Sequence, residues 1–230
     1  MEISIIIPTY NEESCIDDTL HKLSHLKSNF NYVKEIIVVD AGSEDATQRL
    51  VRAHPAVKLL KSKKGRPLQM NFGAKSAHGS ILYFLHADSL PPKDYDVYIV
   101  NSIKANRLAG CFRMQFDSVH PWMKFISWLT KFRYKACRGG DQSLFVSRTL
   151  FEDVGGFDES YLIFEDHEIV TKLYAKTRFN VIQKKLLTSS RRFKDKGILK
   201  LQILFGVLYV KKWLGTSPDS LYSFYSKYVN

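Results

Sequence analysis

Cysteine is scarce in this chain: three in 230 residues, Cys15, Cys111 and Cys137, an odd number with no C-x-x-C pair. A disulfide framework and a structural zinc site of the usual spacing are therefore excluded, and a reducing compartment suits the chain. Glycine and proline are few, 12 and 7, which excludes collagenous and low-complexity disordered classes. Long apolar runs are missing too. The most apolar stretch, Ile198 to Leu214, is interrupted by Lys200, Gln202, Lys211 and Lys212, and falls short of the roughly 20 apolar residues of a membrane span. No basic segment followed by an apolar one opens the chain, so no secretory signal is read and a cytoplasmic location is expected. There is no phosphate-binding G-x-x-x-x-G-K-[ST] loop. His21 and His25 lack the intervening Glu of a zincin and read as surface residues. Acids are the scarcer charge, 23 against 34 Lys and Arg, and the resulting +11 favours anionic partners without choosing among them.

What is present is an alternation. Ile3-Ser4-Ile5-Ile6-Ile7 and Glu35-Ile36-Ile37-Val38-Val39-Asp40 read as strands buried on both faces of a parallel sheet. Between them Ile16, Leu20, Leu23 and Leu26 recur at helical spacing from about Ser14. Helices are expected over Thr47 to Ala53 and Pro67 to Ala77, with strands at Val57 to Leu60 and Ser80 to His86. Beyond Pro91-Pro92 the pattern predicts a helix near Tyr95 to Ala105, a strand at Leu108 to Phe116, an aromatic helix from His120 to Tyr134, a strand at Ser143 to Val146 and helices over His167 to Ala175 and Ile198 to Leu214. The class is α/β, a mixed, mostly parallel sheet flanked by helices, whose ligand site belongs at the carboxyl ends of the strands.

Three carboxylates fall at such places: Asp40, Asp88 in His86-Ala87-Asp88, and Asp166 in Phe164-Glu165-Asp166. Singly, each could be a helix cap. Together with Pro8-Thr9-Tyr10-Asn11-Glu12, Ser43-x-Asp45 and Val154-Gly155-Gly156-Phe157-Asp158, they stand in an order that resembles family-2 glycosyltransferases. Gly65-Arg66-x-x-Gln69-Met70-Asn71-x-Gly73-Ala74, Gly140-Asp141-Gln142 and Ser190-Arg191-Arg192-Phe193 are similar to a short bacterial subgroup.

The resemblance implies a Rossmann-like GT-A domain: residues 1–90 as the nucleotide-sugar half, 91–195 as the acceptor and catalytic half, and 196–230 as a C-terminal apolar helix and tail. It implies inverting transfer of a sugar from a nucleoside diphosphate, UDP before GDP, to an acceptor hydroxyl. Asp166 would be the general base with Glu165 beside it, and Asp88 would hold Mg²⁺ or Mn²⁺ on the diphosphate. His86 stands where the family often has an acid. Pro8, Thr9, Tyr10, Glu12, Asp40, Arg66 and Asn71 would line the nucleotide site, Gly140, Asp141 and Gln142 the sugar or acceptor, and Arg191 and Arg192 the diphosphate. The acceptor is unnamed, a lipid-linked one being a candidate, and no nucleic acid is expected. Trp122 to Lys135 and Ile198 to Leu214 mix bulky apolar and basic residues, as helices lying on the inner face of a membrane do. The competing readings are a nucleotidyltransferase and a non-catalytic basic protein for nucleic acid or membrane; the sequence sets no oligomeric state.

Overall fold

The computed structural model describes residues 1–139 and 142–229. The first half follows the alternation: β1 (Ile3–Thr9), α1 (Ile16–Leu26), β2 (Val33–Asp40), α2 (Thr47–Arg52), β3 (Val57–Lys61), α3 (Arg66–Ser76) and β4 (Ile81–Phe84). The second half comprises β5 (Ser89–Leu90), α4 (Tyr95–Lys104), β6 (Ala109–Phe116), α5 (Pro121–Leu129), β7 (Leu144–Ser147), α6 (Arg148–Asp153), α7 (Glu165–Lys176), β8 (Asn180–Thr188), α8 (Arg191–Lys196), α9 (Ile198–Trp213) and α10 (Pro218–Tyr228). These strands form one sheet in the order β3-β2-β1-β4-β7-β6-β8-β5. β1 runs parallel to β2 on one side and to β4 on the other, so the strand order reverses there and a crevice opens at their carboxyl ends.

Every residue of β1 is buried, as a central strand with helices on both faces requires. On one face α3, α6 and α7 pack Met70, Phe151, Ile169 and Leu173 against Ile6, Ile37 and Phe84. On the other, α1, α2 and α4 bring Leu20, Val51 and Ile99 onto Ile5, Ile7 and Tyr83. A third apolar cluster joins the far end of β6 to α5, α8, α9 and α10 through Phe116, Met123, Phe193, Leu201 and Leu221. Close approach fixes two glycines. A Cβ on Gly73 would stand 2.5 Å from the Ile6 side chain, and one on Gly110 would stand 2.2 Å from the Asn180 carbonyl oxygen, where β6 meets β8.

Several expected boundaries move. The aromatic helix stops at Leu129 instead of Tyr134; just beyond it the Thr130 hydroxyl accepts from Met114 N–H of β6 and the Thr130 carbonyl accepts from Arg138, so tertiary partners take the groups that a longer helix would use. α7 begins two residues early, at Glu165, so both acids lie in its first turn. β4 is shorter than Ser80 to His86, which leaves His86 and Asp88 on the loop after the strand. β8 has no counterpart among the expected elements: the polar Gln183-Lys184-Lys185 interrupts its apolar residues, and the pairing jumps there from Phe112 with Ile182 to Arg113 with Lys185, which breaks the alternation that would reveal a strand. α10 has no counterpart either, although its start is signalled by Ser217, whose hydroxyl caps Ser220 N–H, and by Pro218 in the first turn.

Candidate active site

The nucleotide side begins with Asp40, fully buried at the end of β2. One carboxylate oxygen accepts from the backbone N–H groups of Gly42 (3.0 Å) and Ser43 (2.9 Å) and from Gln48 Nε2 (2.8 Å). The other accepts from the hydroxyls of Thr9 and Ser43. Gln69, on the inner side of α3, donates to the carbonyls of Thr9 (2.8 Å) and Val39 (2.7 Å), tying α3 to the ends of β1 and β2. Glu12 N–H donates to Thr47 and Glu13 N–H to Asp45, while Ala46 N–H returns to the Glu13 carboxylate, so the loops after β1 and β2 form one wall. Tyr10 lies at its mouth, with the Lys64 ammonium 3.7 Å above its ring.

Asp88 belongs to a second group at this mouth. Burial pushes the Cys15 thiol up to about 12, and the negative charges of Glu12 and Asp88 add to it. Arg191 reaches across from the start of α8 to pair with Glu12 at 3.0 Å and to bond Ser14. Arg192 turns the other way, onto the Tyr225 hydroxyl and over the Phe205 ring. The two arginines therefore do not act as a pair.

Arg66 joins the halves of the chain. Its Nη2 lies 3.0 Å from Asp166 Oδ2 and its Nε 3.1 Å from Glu165 Oε1, while Nη2 is also 3.4–3.5 Å from both His86 ring nitrogens, which sets the guanidinium over the imidazole. Glu165 is nearly inaccessible, at 2% exposure. A buried carboxylate is costly unless a cation or several donors face it, and Arg66 is that cation. Before Glu165, Phe164 adopts φ 66°, a left-handed conformation that bulky residues avoid. Its ring is held by Tyr209 of α9, 4.9 Å between centroids, and by the Lys212 ammonium 4.8 Å from the ring centre. Lys212 also pairs with Glu168 at 2.5 Å.

The last wall is a turn after α5. Arg138, buried, donates to the carbonyls of Thr130 and Phe132, to Gln142 Oε1 and to the Cys111 sulfur. Arg138 and Gln142 line a narrow cavity that Asp166 also faces. Gly140 and Asp141 lie outside the described residues. Asn71 points away from the acids, with its amide spent on the backbone of Phe157 and on Glu159. It borders a groove of about 740 Å³ between α3 and α6 that contains none of Asp40, Asp88 and Asp166. Sequence reading gave no role to Gln69 or Arg138. Gln69 carried a signal, its place in the Gly65-to-Ala74 pattern, whereas nothing local marks Arg138.

A family model described as glycosyl transferase family 2 matches residues 4–157, more than half of the chain. The chain belongs to glycosyl transferase family 2. Among curated relatives of this family member, the probable glycosyltransferase YdaM of Bacillus subtilis (strain 168) is 28% identical over 200 residues, which cover 75% of this chain and 46% of YdaM. The dolichol-phosphate mannosyltransferase of Pyrococcus furiosus is 31% identical over 109 residues, 45% of this chain and 30% of that protein. The family-2 chain thus spans less than half the length of these relatives. Among solved structures, S. aureus TarS 1-349 superposes with a TM-score of 0.68 at 21% identity, covering 89% of this chain and 66% of that one. The mannosyltransferase PcManGT from Pyrobaculum calidifontis, in complex with GDP-Man and Mn²⁺, gives 0.62 at 21% identity, covering 81% of this chain and 56% of that one. The shared fold is the GT-A arrangement of a mixed, mostly parallel sheet.

Proposed function

We propose that this family-2 chain is an inverting glycosyltransferase that takes a sugar from a nucleoside diphosphate, UDP before GDP, and transfers it to an acceptor hydroxyl. The observation that carries the reading is the Arg66 bridge, which draws the loop after β4 and the Glu165–Asp166 pair of α7 into one place. Support for a nucleotide sugar comes from the superposed structures, which include TarS in complex with UDP-GlcNAc and the GDP-Man complex of PcManGT.

In the proposed reaction the acceptor oxygen attacks the anomeric carbon as the bond to the diphosphate oxygen breaks, and the hydroxyl proton passes to Asp166. Glu165 and Arg66 hold that carboxylate in position. The departing diphosphate gains charge, which Arg66 and Arg191 would offset as fixed cations. Among the described residues, no three His, Cys, Asp or Glu side chains gather as a metal cluster. Asp88 nevertheless fits Mg²⁺ or Mn²⁺, since such ions take one or two protein carboxylates and draw other ligands from substrate phosphates. Bound there, the ion would act as a Lewis acid on the diphosphate. Relatives named for transfer to dolichol phosphate and undecaprenyl phosphate support a lipid-linked acceptor.

The test is a thermal-shift and product-release screen with UDP-, GDP- and dTDP-sugars, with and without Mn²⁺, repeated on Asp88→Ala and Asp166→Asn. A general base contributes about 10²–10⁴-fold, so Asp166→Asn should lose about that much turnover while still being stabilised by donor. Transfer at the parental rate by Asp166→Asn refutes the base assignment; failure of every nucleotide to stabilise the fold refutes the enzyme reading.

A further inference from the structure

α9 is apolar around nearly its whole circumference, a pattern found in helices covered on every side. Its inner face is covered: Leu201 and Leu208 are buried in the third cluster, with Leu204 and Phe205 packed against it. Its outer face is not. Leu199, Ile203, Val207, Val210, Trp213 and Leu214 recur at helical spacing and all are exposed, Ile203 by 67% and Trp213 by 84%. Lys200 and Gln202 bring polarity to the edges of its first half and Lys211 and Lys212 to its last turn, where they turn to Phe224 and to Glu168, and Gly206 lies within the stripe. Monomeric proteins seldom leave so continuous an apolar strip bare.

Charge identifies the occupant. From Arg191 onward the chain has eight Lys and Arg against two Asp, on a protein of net charge +11. A second copy of this chain would bring the same positive field to the same face, whereas an anionic surface is attracted by it. The aromatic content points the same way, since Trp and Tyr favour the boundary between hydrocarbon and water. α5, whose inner side also packs on the third cluster through Met123, exposes Trp122, Phe125 and Trp128. α9 cannot cross a bilayer. Its 16 residues span about 24 Å, less than the ~30 Å hydrocarbon thickness, and one side belongs to the core.

We propose that the outer face of α9 docks this protein, in the plane of the surface, on a lipid bilayer containing anionic headgroups. The same helix holds the start of α7 through Tyr209 on Phe164 and Lys212 on Glu168, so docking would set Asp166 at a fixed distance from the lipid surface. This inference stands apart from the choice of donor.

The experiment is flotation of the full chain with vesicles of phosphatidylglycerol and phosphatidylcholine, against phosphatidylcholine alone, for the parent and for Ile203→Glu/Val210→Glu. The parent should float with the anionic vesicles, lose binding as salt rises, and bind phosphatidylcholine weakly. The double variant should partition at least about tenfold less, as removal of two apolar contacts requires. A second measurement avoids dependence on that variant's folding: in Trp122→Phe/Trp128→Phe, brominated acyl chains should quench Trp213. Absence of quenching, equal binding to neutral vesicles, or undiminished binding by a folded double variant overturns the proposal. So does a parental dimer that the double variant converts to monomer, which would assign the face to a second copy. Donor-induced stabilisation in the same samples separates the outcomes: if it persists while vesicle binding is absent, docking alone falls.

Discussion

Replacing Asp40 tests whether the wall of the nucleotide side is organised by one carboxylate. In Asp40→Asn, the amide oxygen can keep the three N–H bonds from Gly42, Ser43 and Gln48, and the new NH₂ can meet the hydroxyls of Thr9 and Ser43 once these rotate to accept. What is lost is the charge that strengthens those bonds, a cost of about 1–2 kcal/mol. In Asp40→Ala all five bonds are lost at a position with no solvent exposure, although Gln48 Nε2 keeps the Ser43 carbonyl at 3.3 Å. With two backbone N–H groups and two hydroxyls left to find other partners, the cost should reach about 3–5 kcal/mol. Urea unfolding at neutral pH measures both, and an unchanged denaturant slope would place the difference in the folded state. Addition of UDP then asks a separate question: if Asp40 also accepts from a ring N–H, the Asn protein folds yet loses about tenfold in nucleotide affinity. An alanine variant that costs no more than the asparagine variant would refute the idea that Asp40 holds this loop.

Gly110→Ala should cost about 3 kcal/mol or be recovered only as insoluble protein, because its Cβ would meet backbone oxygen on β8, which cannot turn aside. Gly206→Ala has nothing within 4 Å of the new methyl and should instead add about 0.5–1 kcal/mol by raising helix propensity in α9, as measured by thermal or chemical unfolding. Burial, and then the charge of Lys212, holds His167 below its usual value of 6.5. The unfolded chain therefore binds this proton more readily than the folded one, so stability present above about pH 6.5 should fall as pH drops below it, and His167→Gln should flatten that slope in melts across the range.

The β-branched runs determine β1 and β2, and helical spacing determines α1, because burial on both faces of a strand or along one stripe of a helix is written locally in which residues are apolar. The order of the acids along the chain, Asp40, Asp88 and Asp166, is likewise a property of sequence, and so is the family pattern they belong to. Which of these side chains meet was settled elsewhere. Arg66 lies 100 residues from Asp166, and Arg191 lies 179 from Glu12, separations over which no local pattern reports contact. β8 is also decided by its neighbour: its charged centre is tolerated because β6 supplies the hydrogen bonds across a register shift. α9 shows the same division, since its composition specifies an apolar helix, while only packing decides that Leu201 faces the core and Ile203 faces out. Local sequence fixes what a segment can bury; the folded sheet chooses which face it buries and which charges it brings together, because those contacts join residues far apart along the chain.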